Sequence, residues 1–105
     1  MIFQLGAPLL DACVLAVLQT GDAYGYTLTQ KVKEVIDISE STLYPVLRRL
    51  EKEKCLETYD EPYQGRNRRY YRLTADGHQK LSFYSNEWKS FVSAVNLLME
   101  GAGNE

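Results

Sequence analysis

Six large apolar residues near the C-terminus, Leu81, Tyr84, Trp88, Phe91, Val95 and Leu98, follow one another at steps of 3, 4, 3, 4 and 3. That spacing keeps them on one narrow line of an α-helix, the a/d seam of a coiled coil, where a core-facing helix would show a broader stripe. The helix begins after Thr74, a capping residue type, and meets no proline before the chain ends in GAGNE. It is about 26 residues long, hence about 39 Å. The residues in front of it, about 73 of 105, make one small domain with too little surface to cover such a helix. A second copy of the chain is the economical partner, so the seam predicts a homodimer.

The segment before the seam divides by its hydrophobic period. Pro8 suits a first helical turn, and the run to Leu18 is apolar on nearly every side, stopped by Gln19-Thr20-Gly21-Asp22. Leu28, Val32, Val35 and Ile36 then fall at helical spacing and predict an amphipathic second helix. A third begins at the capping residues Ser39 to Ser41, carries Leu43, Val46, Leu47 and Leu50, and runs to about Lys54, with Pro45 marking a tight or kinked start. After it come β-rich pieces, Leu56–Tyr59 and Arg69–Leu73, around Pro62, Gly65 and Asn67. These read as a hairpin with a loop longer than two residues. Three helices, a hairpin and a long helix make a mainly α chain with a small β-hairpin: a winged helix-turn-helix over residues 1–74 and a C-terminal dimerisation helix with a short tail over 75–105.

Charge is unevenly spread. The chain has net charge −2, yet Ser41–Thr74 holds eight basic against five acidic residues, +3, which leaves −5 for the remainder. Four arginines, Arg66, Arg68, Arg69 and Arg72, lie within QGRNRRYYRLT with no acid among them. One cationic face on an otherwise acidic protein suits a polyanion partner, although a mixed solvated surface can show the same imbalance. Other chemistry lacks material. His78 is the only histidine, Cys13 and Cys55 stand alone in apolar settings without CxxC spacing, and there is no phosphate-cradling glycine loop. The reading is therefore no metal, no cofactor and no catalysis, with both thiols reduced and packed. No apolar stretch approaches the roughly 20 residues that span a bilayer, and signal-peptide features are absent, which places the protein in the cytoplasm.

Within this frame the third helix is the candidate recognition helix. Ser41, Thr42 and Tyr44 stand near its N-terminal end and Arg48 one turn beyond, where side chains can address phosphates and base edges together. In the hairpin, if Leu73 faces the core, Tyr71 and Arg69 share its face, where they can brace the wing against the third helix, and Arg68, Tyr70 and Arg72 point away; the roles of Arg69 and Arg72 stay open. Gly65 allows the turn, and Arg66 and Arg68, flanking Asn67, are the best candidates for phosphate or minor-groove contacts. The bland alternatives are a core-packed Tyr44 and solvated Arg48 and Arg72.

STLYPVLRRLEKEKCLETY followed by GRNRRYYRLTADG, with DAYGYTL upstream, closely resembles the PadR family of bacterial transcriptional regulators over about Leu10 to Leu98. The single C-terminal helix resembles the smaller subfamily. Lys54 departs from the pattern, since many relatives carry glycine before the first strand. The resemblance implies a homodimeric repressor that binds an inverted-repeat DNA operator and releases it for a small effector. It further implies that Trp88 faces its dimer mate and sandwiches a flat aromatic effector, with Phe91, Leu10 and Val14 lining the pocket; alternatively Trp88 is one bulky residue of the seam. The runner-up function is a winged-helix protein-interaction module without direct DNA readout.

Overall fold

Seven elements account for most of the chain in the computed structural model, which describes residues 6–101. They are α1 (Ala7–Gln19), β1 (Ala23–Tyr24), α2 (Gly25–Lys33), α3 (Glu40–Lys52), β2 (Leu56–Tyr63), β3 (Arg66–Leu73) and α4 (Ala75–Met99). The strands form one antiparallel sheet in the order β1-β3-β2. A single core joins Val14, Leu15 and Leu18 of α1, Leu28 and Val32 of α2, Leu43, Leu47 and Leu50 of α3, Leu56, Tyr71 and Leu73 of the sheet, and Leu81 of α4. This is the winged helix-turn-helix, with α2 and α3 as the helix pair and β2–β3 as the wing.

The helices start where their capping residues dictate. Ser39 Oγ accepts the Thr42 amide at the start of α3, and Thr74 Oγ1 accepts the Gly77 amide at the start of α4. α3 continues through Pro45, whose ring is exposed. The missing donor frees only the carbonyl of Ser41, a solvent-facing position that water can serve. α2 ends earlier than the sequence predicts. Its backbone tightens after Lys33, with the Val35 amide bonded to the Val32 carbonyl, and this turns Val35 off the core face to 72% exposure while Ile36 stays buried.

The wing corrects the sequence reading twice. Its strands are eight residues each and pair continuously from Leu56↔Leu73 to Tyr63↔Arg66, so the loop is the two-residue turn Gln64-Gly65. Both turn residues have positive φ, 50° and 79°, which the type I′ hairpin turn requires and which glycine adopts freely. Pro62 had argued for a longer loop. It lies on β2, an edge strand of the sheet, where a missing N–H is tolerated. The two-residue β1, pairing Ala23 and Tyr24 with Tyr71 and Tyr70, is too short to leave a periodic signal.

α3 hands over to β2 through a Schellman turn. The Cys55 amide bonds to the Leu50 carbonyl and the Lys54 amide to the Glu51 carbonyl, with Lys54 at φ 68°. The left-handed residue of this motif is usually glycine, which gives the Lys54 departure a physical meaning. The same turn seats α4: Thr74 Oγ1 donates to the Lys54 carbonyl at 2.6 Å, and the Thr74 amide to that of Cys55. Gly77 lies so close to the Cys55 carbonyl and Leu73 that any Cβ there would collide with backbone.

Candidate nucleic-acid interface

The N-terminal turn of α3 presents a cluster of hydroxyls. Ser39 Oγ lies 3.0 Å from both Ser41 Oγ and Thr42 Oγ1, and Ser41 and Thr42 are exposed. Tyr44 is half-buried with its ring packed on the core, so only part of it is free to meet a ligand. Arg48 is exposed and takes part in no ion pair among the described residues. Its neighbour Arg49, one helical step round, points to α1 and pairs with Asp11.

The arginine cluster of the wing separates into four environments. Arg66, beside the turn, is exposed and has no carboxylate partner among the described residues. The Arg68 guanidinium lies over two rings, Tyr63 at 3.6 Å and Tyr24 at 4.5 Å from their centroids. Arg72 is committed, bonded to Glu57 at 2.9 Å, 3.9 Å from Asp22, and 5.0 Å above the Tyr59 ring. For Arg69, whose role the sequence leaves open, the structure decides against bracing. This arginine does share the face of Tyr71 and Leu73, both buried, but its own side chain is 59% exposed and sits 3.7 Å from Asp60 across the hairpin. An exposed pair at that distance braces nothing, because β3 at Arg69 lies on the stretch of wing beyond the core, whose buried residues on this strand are Tyr71 and Leu73. Burial pushes the Tyr71 phenol up, helped by Glu51 and opposed by Arg69 and Arg48, so guanidinium groups from the wing and from α3 both act at this side of the sheet.

Two features escape a reading of the sequence. The first is a polar chain across three helices: Asp11, 4% exposed, takes a charge-assisted bond from Arg49 of α3 and a 3.2 Å bond from the Tyr84 hydroxyl of α4. The hydrogen bond to Asp11 keeps Arg49 firmly charged, and burial above all raises the Tyr84 phenol, with the Asp11 charge adding to it. Arg49 also meets Glu53, which Lys80 of α4 bonds at 3.1 Å. The one sequence signal for this is Asp11 itself, a single charge inside an otherwise apolar run. The second is the completion of the outer face of the sheet, where Tyr24 of β1 and Tyr59 and Tyr63 of β2 join the outward-facing Arg68, Tyr70 and Arg72 of β3.

An apolar groove of about 1090 Å³ runs between α1 and α4. Of the six seam residues, Leu81, Tyr84, Trp88, Phe91 and Val95 line it, with Val92 and Met99 added, whereas Leu98 is 83% exposed and does not. Leu10 and Val14 are likewise not among its walls. Val14 is 1% exposed inside the domain core, Leu10 packs beside it, and α1 turns Leu9, Ala12, Cys13 and Ala16 to the groove instead. Burial in this wall raises the Cys13 thiol and keeps it protonated. Among the described residues no His, Cys, Asp or Glu cluster could hold a metal, and no helix is long and apolar enough to cross a membrane.

Comparison with known proteins decides the family. Residues 14–82 match the model of the transcriptional regulator PadR-like family, well over half the chain. The chain belongs to that family. A solved structure from Streptococcus mutans UA159 superposes with a TM-score of 0.90 at 39% identity, covering 96% of this chain and 95% of that one. A PadR-like transcriptional regulator from Bacillus cereus ATCC 14579 gives 0.79 at 31% identity, with 87% and 91% covered. An uncharacterised protein of Lysinibacillus sphaericus is 36% identical over 88% of this chain and 89% of its own. Membership carries the class of a DNA-binding transcriptional regulator. In this PadR-like chain the family match takes in α2, α3 and the wing and stops within the first third of α4. The groove-lining residues from Tyr84 onward lie beyond it.

Proposed function

We propose that this PadR-like regulator acts as a homodimeric repressor in the bacterial cytoplasm, pairing through α4 and clamping an inverted-repeat operator with two α3 helices and two wings. Ser41, Thr42, Tyr44 and Arg48 are the base-edge and phosphate ligands of α3; Gly65, Arg66, Asn67 and Arg68 are those of the wing. The observation that carries this reading is the pair of uncommitted cations, Arg48 on α3 and Arg66 at the wing turn, on the two elements that a winged helix presents to a duplex. Dimer formation draws support from the bare end of α4, where Trp88, Phe91, Leu97, Leu98 and Met99 are between 45% and 83% exposed. The groove, walled by Trp88, Phe91, Val95 and Cys13 and closed on its open side by the second copy, suits a flat aromatic effector whose binding releases DNA.

Selection of bound sequences from random duplex DNA at near-physiological salt tests the reading. The expected product is an inverted repeat with half-sites about one helical turn apart. A single unrepeated half-site would contradict the two-winged clamp, and no enrichment at all would favour a protein-interaction module.

A further inference from the structure

Arg68 stands on β3, the middle strand, directly across from Glu61 in the ladder, yet it makes no ion pair with that carboxylate or any other among the described residues. Its guanidinium instead lies over the rings of Tyr63 and Tyr24, with centroid distances of 3.6 Å and 4.5 Å. The two rings come from opposite sides: Tyr63 ends β2 and Tyr24 ends β1, so each strand flanking β3 sends one aromatic to the same group. A guanidinium is planar, and all five of its N–H donors lie in that plane. Held over ring faces and paired with no carboxylate among the described residues, Arg68 spends none of these donors on a salt bridge, as one to Glu61 would have required.

We propose that Tyr24 and Tyr63 are positioning residues for DNA binding, holding Arg68 as a preorganised, edge-on phosphate donor on the wing. This rests on the reading of the wing as a DNA ligand. It assigns different work to two arginines two residues apart: Arg66 has no such support and contributes a free charge, whereas Arg68 contributes a fixed fork. It also gives β1, only two residues long, a part in the DNA-binding surface.

A double-mutant cycle with Arg68→Ala, Tyr63→Leu and the combined variant tests this, read by salt titration on a labelled random-sequence duplex of about four helical turns, since phosphate contact is independent of sequence. Tyr63 is 46% exposed near the hairpin end, so its replacement leaves the core intact. Arg68→Ala is expected to weaken binding and lower the salt slope by about 1. Tyr63→Leu should weaken it about two- to fivefold with Arg68 present and have no effect in the Arg68→Ala background, while Tyr63→Phe, which keeps the ring, should bind as the parent does. Equal losses from Tyr63→Leu in both backgrounds, or no loss in either, would overturn the positioning role. An unchanged slope for Arg68→Ala would overturn the wing reading itself and the proposal with it.

Discussion

The two ends of α4 are built for different surroundings. Its first turns are seated in the domain: Gly77 presses on the Cys55 carbonyl, Leu81 is 8% exposed, and Tyr84 bonds the buried Asp11. From Trp88 on, the same helix leaves Trp88, Phe91, Leu97, Leu98 and Met99 between 45% and 83% exposed, and it extends a molecule whose longest dimension is 66 Å against 28 and 21 Å across. Apolar surface of that kind is stabilised by being covered, at about 25 cal/mol per Å² removed from water. One helix is thus packed into its own domain at its beginning and bare at its end. Tyr84, the last anchored residue and a wall of the groove, shares Asp11 with Arg49 of α3.

Substitutions at the anchored end should cost fold stability, and those at the bare end should cost association. The largest effect is expected from Gly77→Ala. With backbone on the far side of the contact, the methyl group has nowhere to go, and unfolding in urea should show a loss of about 2–3 kcal/mol. Arg49→Ala, which leaves Asp11 charged and buried, should cost about 2 kcal/mol in the same assay; this is below the usual figure for a broken buried pair because the Arg49 side chain is 40% exposed. Lys54→Gly should act in the opposite direction. It relieves a left-handed lysine at the seat of α4 and should raise stability by about 0.5–1 kcal/mol. Trp88→Ala should change the stability of the domain by no more than about 0.5 kcal/mol, measured where the chain is monomeric, while abolishing any rise of Tm with protein concentration. A large Trp88→Ala loss under dilute conditions would erase the distinction between the two ends.

Much of this architecture is legible in the residues because it depends on local chemistry. The caps at Ser39 and Thr74, the core spacing of Leu43, Val46, Leu47 and Leu50, and the alternation that buries Tyr71 and Leu73 are all rules of adjacent positions. What escapes depends on partners distant in sequence. Asp11 interrupts an apolar run, and nothing near it reveals that Arg49, 38 residues away, neutralises it inside the fold. Pro62 reads as a strand breaker until the sheet order shows β2 to be an edge. The heptad spacing places Leu98 on the seam, but an undistorted helix drifts from a seven-residue repeat, and Met99 faces the groove in its stead. The four arginines of the wing look alike in sequence, and only the strands on either side decide that Arg72 is paired, Arg68 stacked and Arg66 free.

The central claim, that the bare end of α4 is covered by a second copy, is tested most directly by sedimentation equilibrium of the intact chain at micromolar concentration. Two chains of 12.0 kDa should sediment together at about 24 kDa, and Trp88→Ala should shift the equilibrium toward the single chain. A parent protein that sediments at 12.0 kDa throughout that range would contradict it.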